Sequence, residues 1–92
     1  VIKIRDLDPE NMVARELALV KVRADATTRS EVIQLVEIFD ARIVDVTSES
    51  LTVQVTGETD ELVNFEQLLR PFGLIELVKT GVVALGRGAS AT

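Results

Sequence analysis

Histidine and cysteine are both absent from the 92 residues, and that absence decides which chemistry is open to the chain. Without imidazole the commonest general base is missing, and without thiolate there is no Cys nucleophile, no disulfide and no Cys-type zinc site. Carboxylate, hydroxyl and guanidinium remain. Asp6, Asp8 and Glu10 cluster around Pro9, and Glu58, Asp60 and Glu61 follow Gly57. Oxygen ligands of this kind suit a hard cation, but neither cluster has the spacing of a calcium loop. The first reads as a solvated linker, the second as acids favoured at a helix N-terminus by the macrodipole. Gly86-Arg87-Gly88 lacks the Lys-Ser/Thr of a phosphate loop and no helix follows it. Ser30 has no base partner in sequence and fits a capping region. Arg15, Arg42 and Arg70 have the guanidinium forks that grip carboxylates, with exposed salt bridges as the simpler reading. Met12 reads as a linker contact. No catalytic, cofactor-binding or metal-binding residue is assigned, and no cofactor is expected.

The elements that would position these groups are legible in the apolar pattern. The chain is 47% hydrophobic with three aromatics, Phe39, Phe65 and Phe72, so it has a packed core of Val, Leu and Ile and no base-stacking platform. Its net charge of −5 repels nucleic-acid phosphates and anionic membrane surfaces. No apolar run approaches the ~20 residues of a membrane span, and no signal-peptide pattern is present. A chain of this length buries only about 60% of its unfolded surface, which makes a partner subunit a reasonable expectation. The lack of Cys fits a reducing compartment, and a cytoplasmic location is expected.

Val1–Leu7 alternates like the end of a strand, and the charged, Pro-containing stretch through Asn11 reads as a linker. The chain starts on Val1 rather than Met, so residues 1–10 are expected to be the remnant of an upstream domain and 11–92 a domain of their own. Leu17–Ala24 reads as a strand with Ala18, Val20, Val22 and Ala24 on one face. Thr28-Arg29-Ser30-Glu31 matches a capping box, and Val32, Leu35, Val36 and Phe39 form a helical stripe widened by Ile33 and Ile38, ending near Ala41. Ile43–Thr47 and Leu51–Thr56 form a hairpin around Ser48-Glu49-Ser50, with Leu51, Val53 and Val55 inward. Thr59 or Asp60 caps a second helix striped by Leu62, Phe65 and Leu69, which stops at Pro71-Phe72-Gly73 with Gly73 in a left-handed position. Ile75–Val78 and Val82–Leu85 supply a last strand, continuous or bent at Gly81. The small, polar tail from Gly86 is expected to be mobile. The order β-α-β-β-α-β predicts an α+β, ferredoxin-like fold, an antiparallel sheet with two helices on one face.

Beyond periodicity, the wording of the chain resembles a known family. Met12-Val13-Ala14-Arg15-Glu16-Leu17-Ala18-Leu19-Val20-Lys21-Val22 resembles the opening of the C-terminal domain of acetolactate synthase (acetohydroxyacid synthase) small subunits. Arg42–Val46 with Leu51–Gly57, Leu69-Arg70-Pro71-Phe72-Gly73-Leu74-Ile75-Glu76, and Thr80–Gly88 are similar to three further phrases of that family, in the same order. Val1-Ile2-Lys3-Ile4 resembles the last strand of its N-terminal ACT domain. The resemblance implies a non-catalytic regulatory subunit in branched-chain amino acid biosynthesis, that of valine, leucine and isoleucine. The thiamine diphosphate, magnesium and flavin sites would belong to a separate catalytic subunit. It also implies that the feedback inhibitor valine binds in the ACT domain, so no valine-binding residue is assigned to this chain.

The implied partners are the catalytic subunit of acetolactate synthase and a second copy of the chain, with no nucleic acid and no membrane. A homodimer through the sheet is expected, because Leu17, Leu19, Ile43, and either Ile75 and Leu77 or Val78 would have no helix above them. The alternative function is a freestanding ACT-like domain that senses an amino acid itself. A small enzyme of acylphosphatase type on the same fold lacks support, since Ala24–Thr28 contains no glycine to cradle an anion.

Overall fold

The computed structural model describes residues 11–89. The proposed remnant at 1–10, with Asp6, Asp8 and Glu10, lies outside them, as do residues 90–92. Four strands and two helices follow in the order β1 (Met12–Arg23), α1 (Arg29–Ile38), β2 (Arg42–Val46), β3 (Ser50–Gly57), α2 (Thr59–Leu69) and β4 (Leu74–Gly86). A 3-10 turn at Arg70–Phe72 joins α2 to β4. The strands form one antiparallel sheet in the order β2-β3-β1-β4, the ferredoxin-like α+β arrangement.

The core forms where the two-residue period of the inner strands meets the helical stripes. Ala18, Val20, Val22 and Ala24 from β1 and its end, with Leu51, Val53 and Val55 from β3, pack under Val32 and Val36 of α1 and Leu62, Phe65 and Leu69 of α2. All are buried, and each large member contributes on the order of 1.5–3 kcal/mol. Phe39 meets Phe65 at a ring-centroid distance of 5.0 Å with the planes tilted by 50°, which joins the end of α1 to the middle of α2. Ile38, expected to widen the α1 stripe, is instead 74% exposed. The helical face turns away from the core one residue before Phe39.

Both helix starts differ from the sequence expectation. Thr28 precedes α1 without a side-chain cap bond. Its hydroxyl turns back to Asp25, whose Oδ1 accepts from the Thr27 amide at 2.9 Å, the Thr27 hydroxyl at 2.6 Å and the Thr28 amide at 3.1 Å. An Asx turn of this kind competes with the capping box for the same hydroxyl, and here it wins. Bonds from Thr27 and Thr28 hold the Asp25 carboxyl below the ordinary carboxylate value. At α2 the residue before the helix is Glu58, again without a side-chain cap bond, so neither Thr59 nor Asp60 takes that role.

Strand bounds also move. β1 begins at Met12 rather than Leu17, which turns the expected linker contact Met12 into a strand residue. β4 is continuous through Gly81, where φ is 85° and the register with β1 slips by one residue, a bulge that a glycine accommodates. The tail is held at its start, since the Arg87 amide donates to Asn11 O at 2.9 Å. Gly73 sits at φ 108° and its carbonyl accepts from the Arg23 amide. A Cβ there would come within 2.9 Å of the Arg23 side chain.

Asp40 carries the one positive φ, 53°, of any described non-glycine residue. The Ala41 amide bonds to Val36 O and the Asp40 amide to Glu37 O, a Schellman closure with Asp40 at the left-handed position. Asp40→Gly is therefore expected to stabilise the chain by about 0.5–1 kcal/mol in urea unfolding. A loss of stability would show that the carboxylate contributes more than its backbone conformation costs.

Candidate functional site

The candidate side chains are dispersed by the fold rather than gathered. Arg15 lies near the start of β1 and its Nη1 donates to Ala14 O at 2.7 Å. Arg42 opens the opposite edge strand β2 and is exposed. Arg70 stands in the 3-10 turn, bonded to Glu66. The three guanidinium groups do not converge. Ser30 is exposed on the first turn of α1. Glu58, Asp60 and Glu61 are exposed at the start of α2, and among the described residues no group of three or more Asp or Glu side chains is placed to hold a metal ion. Arg87 donates from Nε to Met12 O at 3.3 Å, so Gly86-Arg87-Gly88 closes the end of a strand pair rather than forming an anion loop.

What the fold does assemble is a surface. β3 reaches only as far as the Glu16–Gly57 pair, whereas β1 and β4 continue together to Met12 and Gly86. Among the described residues, 12–15 and 82–86 therefore form a two-stranded arm beyond the body of the sheet. Cross-strand partners share a face, so Val13 and Leu85, with Arg15 and Val83, form one face of this arm. They line an almost wholly apolar hollow of about 340 Å3 together with Ala84. A second hollow, of about 410 Å3, is lined by Met12, Ala14, Arg15 and Val82 of the arm and by Glu58 and Thr59 at the start of α2. It holds no nucleophile paired with a base.

The face of the body away from the helices continues this strip. Leu19 stands opposite Val78 and Lys21 opposite Glu76. Leu19 and Val78 are exposed, as the sequence reading expects of the uncovered face, and Leu17 is half-buried. Ile43 is a correction. It pairs with the inward Val53 and packs on the core, so it is covered. Leu77 likewise packs on the core, whereas Val78 and Ile75 are both exposed, so the two alternatives do not separate cleanly. The facing of these residues is set by register with the neighbouring strand, which a strand's own alternation does not reveal.

Three polar features lie outside the sequence reading. Lys21 Nζ is 2.8 Å from Glu76 Oε1 on the uncovered face, and this bond raises the lysine and lowers the carboxyl from their ordinary values. Arg29 donates to Ala24 O and Thr47 O, tying the start of α1 to the end of β1 and the β2–β3 turn. Glu66 is buried on α2 yet holds Arg70 and, at 3.2 Å, Lys79 of β4. An acid inside an apolar helical period carries no signal of its own, and its partners lie on a strand that the fold alone brings near. Glu16 is also buried, and its Oε1 has no hydrogen-bond partner among the described residues.

This geometry defines a small ferredoxin-like module built around a paired, largely apolar strand surface. The family model described as the small subunit of acetolactate synthase matches residues 15–88, and the chain belongs to that family. It is 49% identical over 88 residues to the acetolactate synthase small subunit of Mycolicibacterium smegmatis, covering 96% of this chain and 52% of that protein. It is 51% identical over 90 residues to the probable small subunit of Methanothermobacter thermautotrophicus, covering 97% and 54%. The crystal structure of the small subunit from Thermotoga maritima superposes with a TM-score of 0.85 at 41% identity, over 92% of this chain and 52% of that one. The chain thus spans about half the length of these relatives. No helix among the described residues is long and apolar enough to cross a membrane.

The Glu66 contacts give a pH-dependent test. Burial pushes its carboxyl up, but hydrogen bonds and charge from Lys79 and Arg70 outweigh this and leave it below the ordinary value. A depressed carboxyl stabilises the fold above its unfolded pKa and loses that contribution as pH falls through the folded value. Glu66→Gln is expected to cost about 1–2 kcal/mol at pH 7. The gap from the parent should close as pH drops below about 5, followed by urea unfolding. A gap that is unchanged at pH 3 would show that the ion pairs carry no net stability.

Proposed function

We propose that the chain is the C-terminal, non-catalytic part of a regulatory acetolactate synthase subunit, which supports assembly and feedback regulation in branched-chain amino acid biosynthesis. The observation that carries this reading is the family match across residues 15–88. The residues are in keeping with it. A chain without His or Cys, whose carboxylates and arginines are spread over separate elements, is suited to binding and transmitting strain. In this reading thiamine-diphosphate-dependent catalysis belongs to a separate large subunit, which is the chain's partner. Residues 1–10 are the end of an upstream ACT domain and 11–92 the C-terminal domain. Valine is sensed in the ACT domain, and the chain works in the cytoplasm as a homodimer joined through its uncovered sheet surface. It acts without nucleic acid or membrane.

The direct test mixes the purified chain with the catalytic subunit of acetolactate synthase. Co-elution is expected, together with a changed rate of acetolactate formation. The chain by itself should give no turnover with pyruvate, thiamine diphosphate, magnesium and flavin, and calorimetry with valine should show no saturable heat. Failure to associate, combined with a micromolar valine isotherm on the chain alone, would favour the freestanding amino-acid-sensing domain instead.

A further inference from the structure

Met12, Ala14 and Glu16 follow one another at two-residue spacing along β1, on the face that continues into the core as Ala18, Val20 and Val22. Glu16 is paired with Val82 on one side and with Gly57 on the other. Met12, Ala14 and Val82 are the floor of the hollow beside α2, and Glu58 and Thr59 at the start of that helix are its wall. Glu16 is the next residue of the same row. It stands at the inner end of the hollow, between the open arm and the helix-covered core.

The Glu16 side chain is 8% exposed, and its Oε1 has no hydrogen-bond partner among the described residues. None of the ion pairs among those residues involves it. Burying a carboxylate without a partner is strongly unfavourable, so a buried one calls for an explanation. The surroundings add to the demand for positive charge. A Cβ on Gly57 would come within 2.9 Å of Glu61 Oε2, so a second carboxylate lies over the residue paired with Glu16. Glu58 and Asp60 belong to the same stretch of chain. Arg15 stands at the rim of the hollow, but its Nη1 donates to Ala14 O.

We infer that this hollow binds a primary ammonium group on a short aliphatic chain, with the Glu16 carboxylate as its counter-ion. An ammonium is a compact point charge with three donors, suited to a single waiting oxygen. A guanidinium fork needs two oxygens side by side. Met12, Ala14 and Val82 offer an apolar floor for the methylene stem. A metal ion fits less well, since no group of three or more Asp or Glu side chains among the described residues is placed to hold one. A free alkylamine and a lysine side chain both carry this group, and they differ in what must fit at the mouth of the hollow.

Amide chemical shifts of the full 92-residue chain, followed by titration at constant ionic strength, test the site. n-Butylammonium should give saturable shifts at Ala14, Glu16, Thr59 and Val82 with a Kd of about 1–10 mM, and n-butanol should give none. Nα-acetyl-lysine N-methylamide binding as well as n-butylammonium would assign the site to a lysine side chain. Binding of n-butylammonium alone would assign it to a free amine, and either outcome upholds the site. Glu16→Gln should weaken n-butylammonium by about tenfold or more. Without ligand, its urea midpoint should equal or exceed the parent's, because an amide costs less to bury than an unpaired carboxylate. Equal binding by the parent and Glu16→Gln would overturn the inference, and so would the lack of any saturable shift at about 50 mM amine. Displacement of the amine by magnesium ions at the same ionic strength would overturn the ligand class. A lower midpoint for Glu16→Gln would show that the carboxylate already has a structural partner, and would sink the proposal as well.

Discussion

Every other element is placed by the column of small and β-branched side chains on the inner face of β1. Ala18, Val20, Val22 and Ala24 are each no more than 1% exposed, and their size sets how closely the two helices approach the sheet. β1 is also bonded along both edges, to β3 and to β4. Interiors pack at crystal-like density, so a column of this kind tolerates neither a missing methyl nor an added one without adjustment. The helices take their position from the column, and the Phe39–Phe65 contact then joins the end of α1 to the middle of α2. Glu66 becomes buried because α2 must lie flat on β1 and β3 to bring in Phe65 and Leu69. Lys79 and Arg70 offset the cost of that burial.

The same strand ties the core to the surface where partners would act. One face of β1 is the floor of the core, and alternate residues of the same strand, Val13, Leu17 and Leu19, face the other way. β1 runs without interruption from the arm at Met12 to the helix-covered core at Val22. Bulges in β4 near Gly81 and near Ile75 change its register against β1 twice, and bulges bend and twist the strand that carries them.

Much of the fold is written locally. The period-two column from Ala18 to Ala24, the inward Leu51, Val53 and Val55, and the stripe of Leu62, Phe65 and Leu69 each declare their element and their buried face. What the sequence leaves unread depends on a second element. Met12–Glu16 carries too mixed a pattern to declare a strand by itself, and it becomes one through pairing with Val82–Gly86. Thr28 and Glu31 have the letters of a capping box, but Asp25 three residues earlier competes for the Thr28 hydroxyl and takes it. Ile43 is covered because of its register against Val53. Glu66 is an acid at a helical position whose partners are a turn and a strand away. The surface was legible only as an uncovered sheet face; the arm and the hollows beside it required the register.

The inner face of β1, rather than the strand as a whole, holds the fold together. Removing two methyl groups at Val20, fully inside, is to be compared with truncating its chain neighbour Leu19, which is 40% exposed on the opposite face. Urea unfolding under conditions where the chain is monomeric should show Val20→Ala losing about 2–3 kcal/mol. Leu19→Ala should lose less than half as much although it deletes the larger group. Equal losses, or a greater loss at Leu19, would contradict the account and place the determining contacts on the outer face of the sheet.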